Sequence, residues 1–416
     1  MRILRIFLVL SSAVGLLLAQ TDSPKFRWFG DIRVRGEVDM RDFKEQTPAN
    51  AYTVMRTRFG VEAKPLEDIR VLLQVRDSRV FGQERDGSGV FNTLADSRNL
   101  DLHQGFVEIK KFFVDEVTLK AGRQELSYGN ERLIGPVGWN NVGRVFDGGL
   151  LRFDFTGLSV DLIAMRLAEV KQYPSVATPT AIQYVRDGGS DFFGIYGTSK
   201  GIENNTLDGY VLFQSDRNQT VLGSNDLSRW TLGGLVRGKS SALSYDLEAA
   251  YQTGQRRGMD VAAYLLAGSL SYTFEESPVR RLGLGYDQLS GSKAGSTKHK
   301  SFDPMFHTGH KFYGFMDYFI GFPGNAADRG LVDLYARGTL NITQALVTNI
   351  WVHYFQPETD QRLLGHEADC VVSYRMNEAV SFEGGASAFL PGVVMRERFG
   401  GASTSVWGFL ALSVSF

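Results

Sequence analysis

The chain has 416 residues, 45 Lys and Arg against 46 Asp and Glu, 46 Gly, only 11 Pro and one Cys. A net charge of −1 gives no global reason for nucleic-acid binding, and a single cysteine, Cys370, excludes a disulfide framework and a cysteine-based zinc cluster. No run reaches the roughly 18–20 apolar residues that a spanning helix needs, whereas high Gly and 12% aromatics favour strands and tight turns.

The first segment reads as an address. Residues 1–19 open on Arg2 and Arg5, continue as an apolar run to Leu18, and end at Ala19-Gln20. That is the layout of a cleaved secretory signal, with no cysteine after the cut to carry a lipid. Removing 19 residues leaves a mature chain of about 397, expected to form one domain over 20–416.

From there the period is two. In 26–40, Ile32, Val34, Val38 and Met40 share one parity, with Arg33, Arg35, Glu37 and Asp39 on the other. In 53–64, Met55, Phe59, Val61 and Ala63 oppose Arg56, Arg58, Glu62 and Lys64. Ile69, Val71, Leu73 and Val75 then alternate with Arg70, Leu72, Gln74 and Arg76. Near the end Ala368, Cys370, Val372 and Tyr374 alternate with Glu367, Asp369, Ser373 and Arg375. Two-residue alternation is the strand period, so each segment has one apolar and one charged face.

A soluble sandwich and a transmembrane barrel both use such strands, the first turning apolar faces inward and the second turning them to lipid. The signal, strands of ten or more residues and a chain without domain breaks favour the barrel. Eighteen segments begin near 26, 52, 68, 102, 116, 145, 158, 190, 206, 229, 242, 260, 279, 329, 344, 364, 379 and 403; those at 190, 206 and 279 are weak, which leaves sixteen strands as the alternative. The predicted fold is all-β, a transmembrane antiparallel β-barrel of about 18 strands. Tight turns at 65–68, 114–116, 156–157, 239–241 and 376–378 alternate with long connections at 81–99, 129–144, 171–189 and 289–328. Such barrels place short turns in the periplasm and long loops outside. Trp28, Trp230, Trp351 and Trp407 sit where an aromatic girdle is expected. The last strand carries Val406, Leu410, Leu412, Val414 and terminal Phe416 on one parity, the kind of ending the barrel-assembly machinery handles.

The stretch Gly122-Arg123-Gln124-Glu125-Leu126-Ser127-Tyr128-Gly129-Asn130-Glu131-Arg132-Leu133-Ile134-Gly135, followed by Trp139-Asn140-Asn141-Val142-Gly143-Arg144 and Phe146-Asp147-Gly148, resembles the alginate export family of outer-membrane barrels. Phe302-Asp303-Pro304-Met305-Phe306, the run from Thr308 to Asp317, Leu364 to Asp369 and Gly385 to Gly392 agree with it. The resemblance implies a monomeric, eighteen-stranded channel in the outer membrane of a Gram-negative cell, passing a polyanion through an arginine-rich lumen, with periplasmic export components as partners. His307 departs from the family pattern, which has Pro or a small residue there, and 291–300 is a variable, flexible outer loop on this reading.

The residues themselves point the same way. An acidic polysaccharide needs fixed positive charge facing water inside low-dielectric walls, and guanidinium stays charged and grips carboxylates in a bidentate way. The lumen parity supplies Arg33, Arg35, Arg56, Arg58, Arg70, Arg76 and Arg152. The family block adds Arg123, Arg132 and Arg144, on or near a long connection that could fold inward as a constriction. The bland counterpart is a wall ion pair with Glu37, Asp39, Glu62 or Asp154. His307 and His310 form a His-x-x-His pair without a third ligand, so they are read as loop structure rather than metal site. The expected function is passive passage of an anionic polysaccharide or related acidic solute, without catalysis, cofactor, metal or nucleic acid. The alternatives are a general small-solute porin, an outer-membrane enzyme and a plugged structural barrel.

Overall fold

The computed structural model describes residues 25–82, 98–169, 172–178, 181–186, 188–217, 219–220, 223–224 and 226–416. The expected signal at 1–19, most of the 81–99 connection and parts of 171–189 lie outside the described residues.

Eighteen strands build the wall: β1 (Lys25–Met40), β2 (Asn50–Leu66), β3 (Ile69–Gly82), β4 (Arg98–Ile109), β5 (Val117–Gln124), β6 (Phe146–Phe155), β7 (Leu158–Ala168), β8 (Ser190–Ser199) and β9 (Asn205–Asp216) form the first half. The second half is β10 (Leu227–Ser240), β11 (Leu243–Arg256), β12 (Met259–Thr273), β13 (Val279–Leu289), β14 (Leu331–Asn341), β15 (Leu346–Gln356), β16 (Gly365–Arg375), β17 (Val380–Pro391) and β18 (Ser405–Ser415). Each strand pairs antiparallel with the next, and β18 returns to β1 from Met40↔Val406 to Asp31↔Ser415. The sheet therefore closes and leaves no wall strand with a free edge, which is how a barrel satisfies its backbone in lipid. Two short ribbons, Gln172–Thr178 with Ala181–Arg186 and Gln219–Thr220 with Gly223–Ser224, stand apart from the wall. The eighteen segments read from the sequence are all present, including those at 190, 206 and 279.

The connectors sort by end. At one end lie tight turns such as 67–68, 156–157 and 241–242; at the other lie 41–49, 125–145, 290–330 and 392–404, the last holding one helix, α1 (Val393–Phe399). The alternation has one exception. The β11–β12 link at the long-loop end is only Arg257-Gly258, both with positive φ (49° and 75°), the two-residue turn whose twist matches paired strands.

The wall's outer face is apolar: Leu247, Leu266, Leu284, Leu334, Val352 and Leu410 are all exposed. Aromatic rings mark both rims, with Trp28 stacked on Phe59 (5.6 Å) near the tight-turn end and Trp230, Tyr251 and Tyr286 near the other. Trp28 and Trp230 thus stand on the lipid face as expected for a girdle, whereas Trp351 and Trp407 do not. Both take the inward parity: Trp407 is buried and donates to Glu37 (3.1 Å), and Trp351 packs on Phe315 (4.9 Å). The reason is that the barrel is filled. Phe302, Tyr313, Met316 and Phe319 from 290–330 join Phe355, Phe389 and Phe409 of the wall in one buried cluster inside the barrel.

Candidate functional site

The lumen is organised by two connections that turn inward, 125–145 and 290–330. They meet backbone to backbone: Gly135 N donates to Phe306 O (2.9 Å), Phe306 N to Leu133 O (2.9 Å) and Thr308 N to Glu131 O (3.0 Å). Gly135 is what permits the approach, because a Cβ there would lie 2.1 Å from the Thr308 hydroxyl. The 129–144 connection therefore folds inward, as expected, and 290–330 joins it there. The stretch 291–300, read as a flexible outer loop, is tethered instead: Ser292 N donates to Asp328 O (2.6 Å), Gly291 N to Glu358 Oε2 (3.0 Å), and His299 pairs in parallel with Val261 of β12.

Four of the nominated arginines converge on the segment 138–142, with Arg58 beside them on the same inward face. Arg33 donates to Trp139 O (2.6 Å), Gly138 O (3.3 Å) and Asn141 Oδ1 (2.9 Å). Arg35, 2% exposed, donates to Trp139 O (2.9 Å), pairs with Glu37 (2.7 Å) and lies 3.8 Å from the Trp139 ring centre. Arg56 bonds Gly138 O (3.0 Å) and Asp31 (2.9 Å); Arg76 bonds Val142 O and faces His103 (3.1 Å) and Asp101 (3.5 Å). Arg58 pairs with Glu125 at 3.6 Å, and its Nε and Nη2 are buried without a hydrogen bond. Neighbouring strands deliver these groups because all take the inward parity of β1, β2 and β3, which are in mutual register. Trp139 is the hub, stacked on His310 (4.0 Å) and edge-on to Phe409 (4.9 Å).

The other four stand apart. Arg144 caps three carbonyls, Gly135 O (3.2 Å), His307 O (3.0 Å) and Phe306 O, and burial lowers its pKa to about 10. Arg132, 2% exposed, sits across the lumen between Asp287 (2.5 Å) and Glu248 (3.3 Å) with its face over Phe312. Burial opposes its charge, but Asp287, Tyr313 and Glu248 outweigh that and hold it protonated well above the usual guanidinium range. Arg123 and Arg152 are clamped in two-point pairs to Asp147 and Asp161, all four contacts at 2.7 Å. Arg152 faces the lumen, but Arg123, expected there too, takes the opposite parity to buried Gln124 and pairs with exposed Asp147, so it stands on the outer face near the long-loop rim. Arg70, also on the lumen parity, bridges Glu62 (2.8 Å) and Glu108 (3.4 Å).

The sequence reading missed a second region. Below the inward loops, at the tight-turn end, a cavity of about 720 Å³ is lined by Arg152 but also by Lys200, Arg237, Lys239 and Arg337. Arg237 and Arg337 were recoverable: they hold the inward parity beside outward Leu232 and Val236 on β10 and Leu334 on β14. Among the described residues no three His, Cys, Asp or Glu side chains group as a metal site. His310 instead faces Asp317 (2.9 Å).

His307 is buried against the junction of the two loops, and burial, aided by the Arg144 guanidinium, lowers its pKa from 6.5 to about 4. The fold thus holds the neutral ring while the unfolded chain protonates near 6.5. Stability from this group is present above that value and is lost as pH falls towards 4, a difference of roughly 3 kcal/mol at the limit. His307→Gln should flatten the acid limb of the denaturant midpoint plotted against pH; an unchanged limb would assign it elsewhere.

Several crystal structures share the architecture. Acinetobacter baumannii OccAB4 superposes with a TM-score of 0.63 at 11% identity, covering 96% of this chain and 99% of that one. Pseudomonas aeruginosa OccK11 (OpdR) gives 0.61 at 13%, covering 94% and 96%. P. aeruginosa OccK2 (OpdF), solved in complex with glucuronate, gives 0.60 at 10%, covering 94% and 98%. At these identities the likeness establishes the fold, that of outer-membrane porins. No curated protein sequence matches. The family described as Alginate export matches residues 28–323, well over half of the chain and including both the arginine-bearing strands and the first inward loop. The protein is a member of the alginate export family of outer-membrane β-barrels.

Proposed function

We propose that this barrel is a passive channel for export or diffusion of an anionic, alginate-like polysaccharide, with selectivity set by arginine in its lumen. The observation that carries the reading is the convergence of Arg33, Arg35, Arg56 and Arg76 on the inward segment 138–142, with Arg58 beside them at Glu125, inside low-dielectric walls that focus their field. The four that reach 138–142 are fixed by its backbone carbonyls, so they present charge without collapsing onto a passing solute. A conducting site must bind weakly at many points, and partly neutralised guanidiniums suit that requirement. A porin of the same architecture, crystallised with the sugar acid glucuronate, lends support by analogy. On this reading the chain works as a monomer in outer-membrane lipid, inserted by the barrel-assembly machinery and supplied by periplasmic export components, and it performs no catalysis.

Proteoliposomes loaded with short mannuronate oligomers test it. Efflux should exceed that of neutral mannose oligomers of equal length and fall in Arg58→Gln. Equal efflux of both would favour a general porin; efflux of neither, from folded protein, would favour a plugged barrel.

A further inference from the structure

The open cavity at the tight-turn end lies on the opposite arc from the arginines that hold the constriction. Its cations come from well-separated elements: Arg152 on β6, Lys200 in the β8–β9 turn, Arg237 and Lys239 on β10, and Arg337 on β14. Against them stand Asp246 on the lining, and Asp161 and Asp208 behind Arg152 (2.7 Å) and Arg237 (3.1 Å). Lys200 and Lys239 are exposed. Arg337 is held by Ser271 (2.8 Å) and Ser269 (3.3 Å), with its Nε making no hydrogen bond. Cations therefore outnumber carboxylates around this space even when both wall pairs are included.

The rest of the lining is hydroxyl and aromatic. Tyr128 donates to Asp161 (2.7 Å) and Tyr245 to Asn205 (2.5 Å), which fixes both half-buried rings at the cavity wall. Ser127, Ser159, Thr198, Thr206 and Ser244 add neutral donors and acceptors. The roof is the first inward loop itself, where Gly129 O accepts from Arg237 (3.0 Å). A compact phosphate calls for cations converging on one point. Five cations spaced over four wall elements, separated by hydroxyls and rings, match an extended ligand that repeats carboxylates and hydroxyls along its length. The volume, about 720 Å³, falls in the range that holds a drug-sized ligand and so a few sugar rings.

We propose that this cavity is a loading subsite for a uronate oligosaccharide, occupied from the tight-turn side before the chain reaches the constriction. The inference rests on the channel reading above and adds to it a side, a position and a residue set: Lys200, Arg237, Lys239 and Arg337. In an outer-membrane barrel the tight turns face the periplasm, so the subsite stands where an exported polymer would arrive.

The experiment is single-channel recording from channels of known orientation, with a mannuronate oligomer added to one side at a time. The expected result is concentration-dependent block from the tight-turn side, weak block from the loop side, and none from a neutral mannose oligomer. Lys200→Gln with Lys239→Gln should raise the half-blocking concentration, and adding Arg337→Gln should raise it about tenfold or more in total, with anion selectivity in KCl retained. The double variant alters exposed side chains only, so it remains informative if the triple one fails to fold. Block that is equal from both sides, or unchanged in the double variant, would overturn the subsite while leaving the channel reading intact. Equal displacement by inorganic phosphate would overturn the uronate assignment. Loss of anion selectivity in the wild type would remove the channel reading and the subsite with it.

Discussion

Arg132→Ala should destabilise the barrel by roughly 3–5 kcal/mol, the cost of leaving buried charges without their partner. Arg132 is the cation between Asp287 at 2.5 Å and Glu248 at 3.3 Å, and all three side chains are almost wholly buried. Removing it leaves two carboxylates facing one another in a space that water does not reach, and also strips the guanidinium from the Phe312 face. Because the same residue follows the turn that carries 133–135 onto 306, the loss should propagate to the joint between the two inward loops. Denaturant unfolding in detergent reads the effect directly. A cost below about 1 kcal/mol would place this pair in the class of exposed salt bridges and contradict the burial described here.

The second large effect concerns conductance rather than stability. Arg33, Arg35 and Arg56 together supply the charged donors to Gly138, Trp139 and Asn140 carbonyls and to the Asn141 side chain. A hydrogen bond with one charged partner contributes about 1.5–3 kcal/mol, so removing three such anchors should loosen the 138–141 stretch, which Arg76 and Ser78 still hold at Val142 and Asn141. In the triple alanine variant, single-channel conductance is expected to rise severalfold as the constriction loosens, while anion selectivity falls because the same residues carry the charge. Unchanged conductance would mean that Trp139 packing, Arg76 and Ser78 suffice to hold the loop and that these three arginines are bystanders.

The wall was legible in the sequence because lipid imposes one rule on every strand. Ile32, Val34 and Val38 must face outward whatever lies within, so the two-residue period survives along β1 and marks its partners equally well. All eighteen predicted starts fall within four residues of the observed ones, the largest gap being at Arg98. The interior was less legible. Period two says that Trp351 and Trp407 alternate with outward residues but not whether the lumen holds water or packed loops, and a girdle was the wrong assignment for both. On β12, Val261, Ala263 and Leu265 face in and Leu266 faces out, so the parity signal there is weak for the same reason.

Charge shows the same division. That Arg152 faces inward follows from parity, whereas the motif that nominated Arg123 says nothing of its face, and parity with buried Gln124 turns it outward; the clamps on Asp161 and Asp147 depend on strand register, which one sequence does not display. The convergence of five arginines on one loop is likewise a product of closure and of an inward turn at 125–145. Gly129 and Gly143, with φ of 59° and 71°, are the local signs of that turn. Arg237 and Arg337 could have been nominated by the parity argument already applied to Arg33.

The most direct measurement of the central claim is the zero-current potential of the wild-type channel in a planar bilayer under a KCl gradient. The expected potential is displaced towards the chloride equilibrium value, with Arg58→Gln shifting it back towards zero. A potential at zero, or displaced towards potassium, would contradict an arginine-set anion path through this barrel.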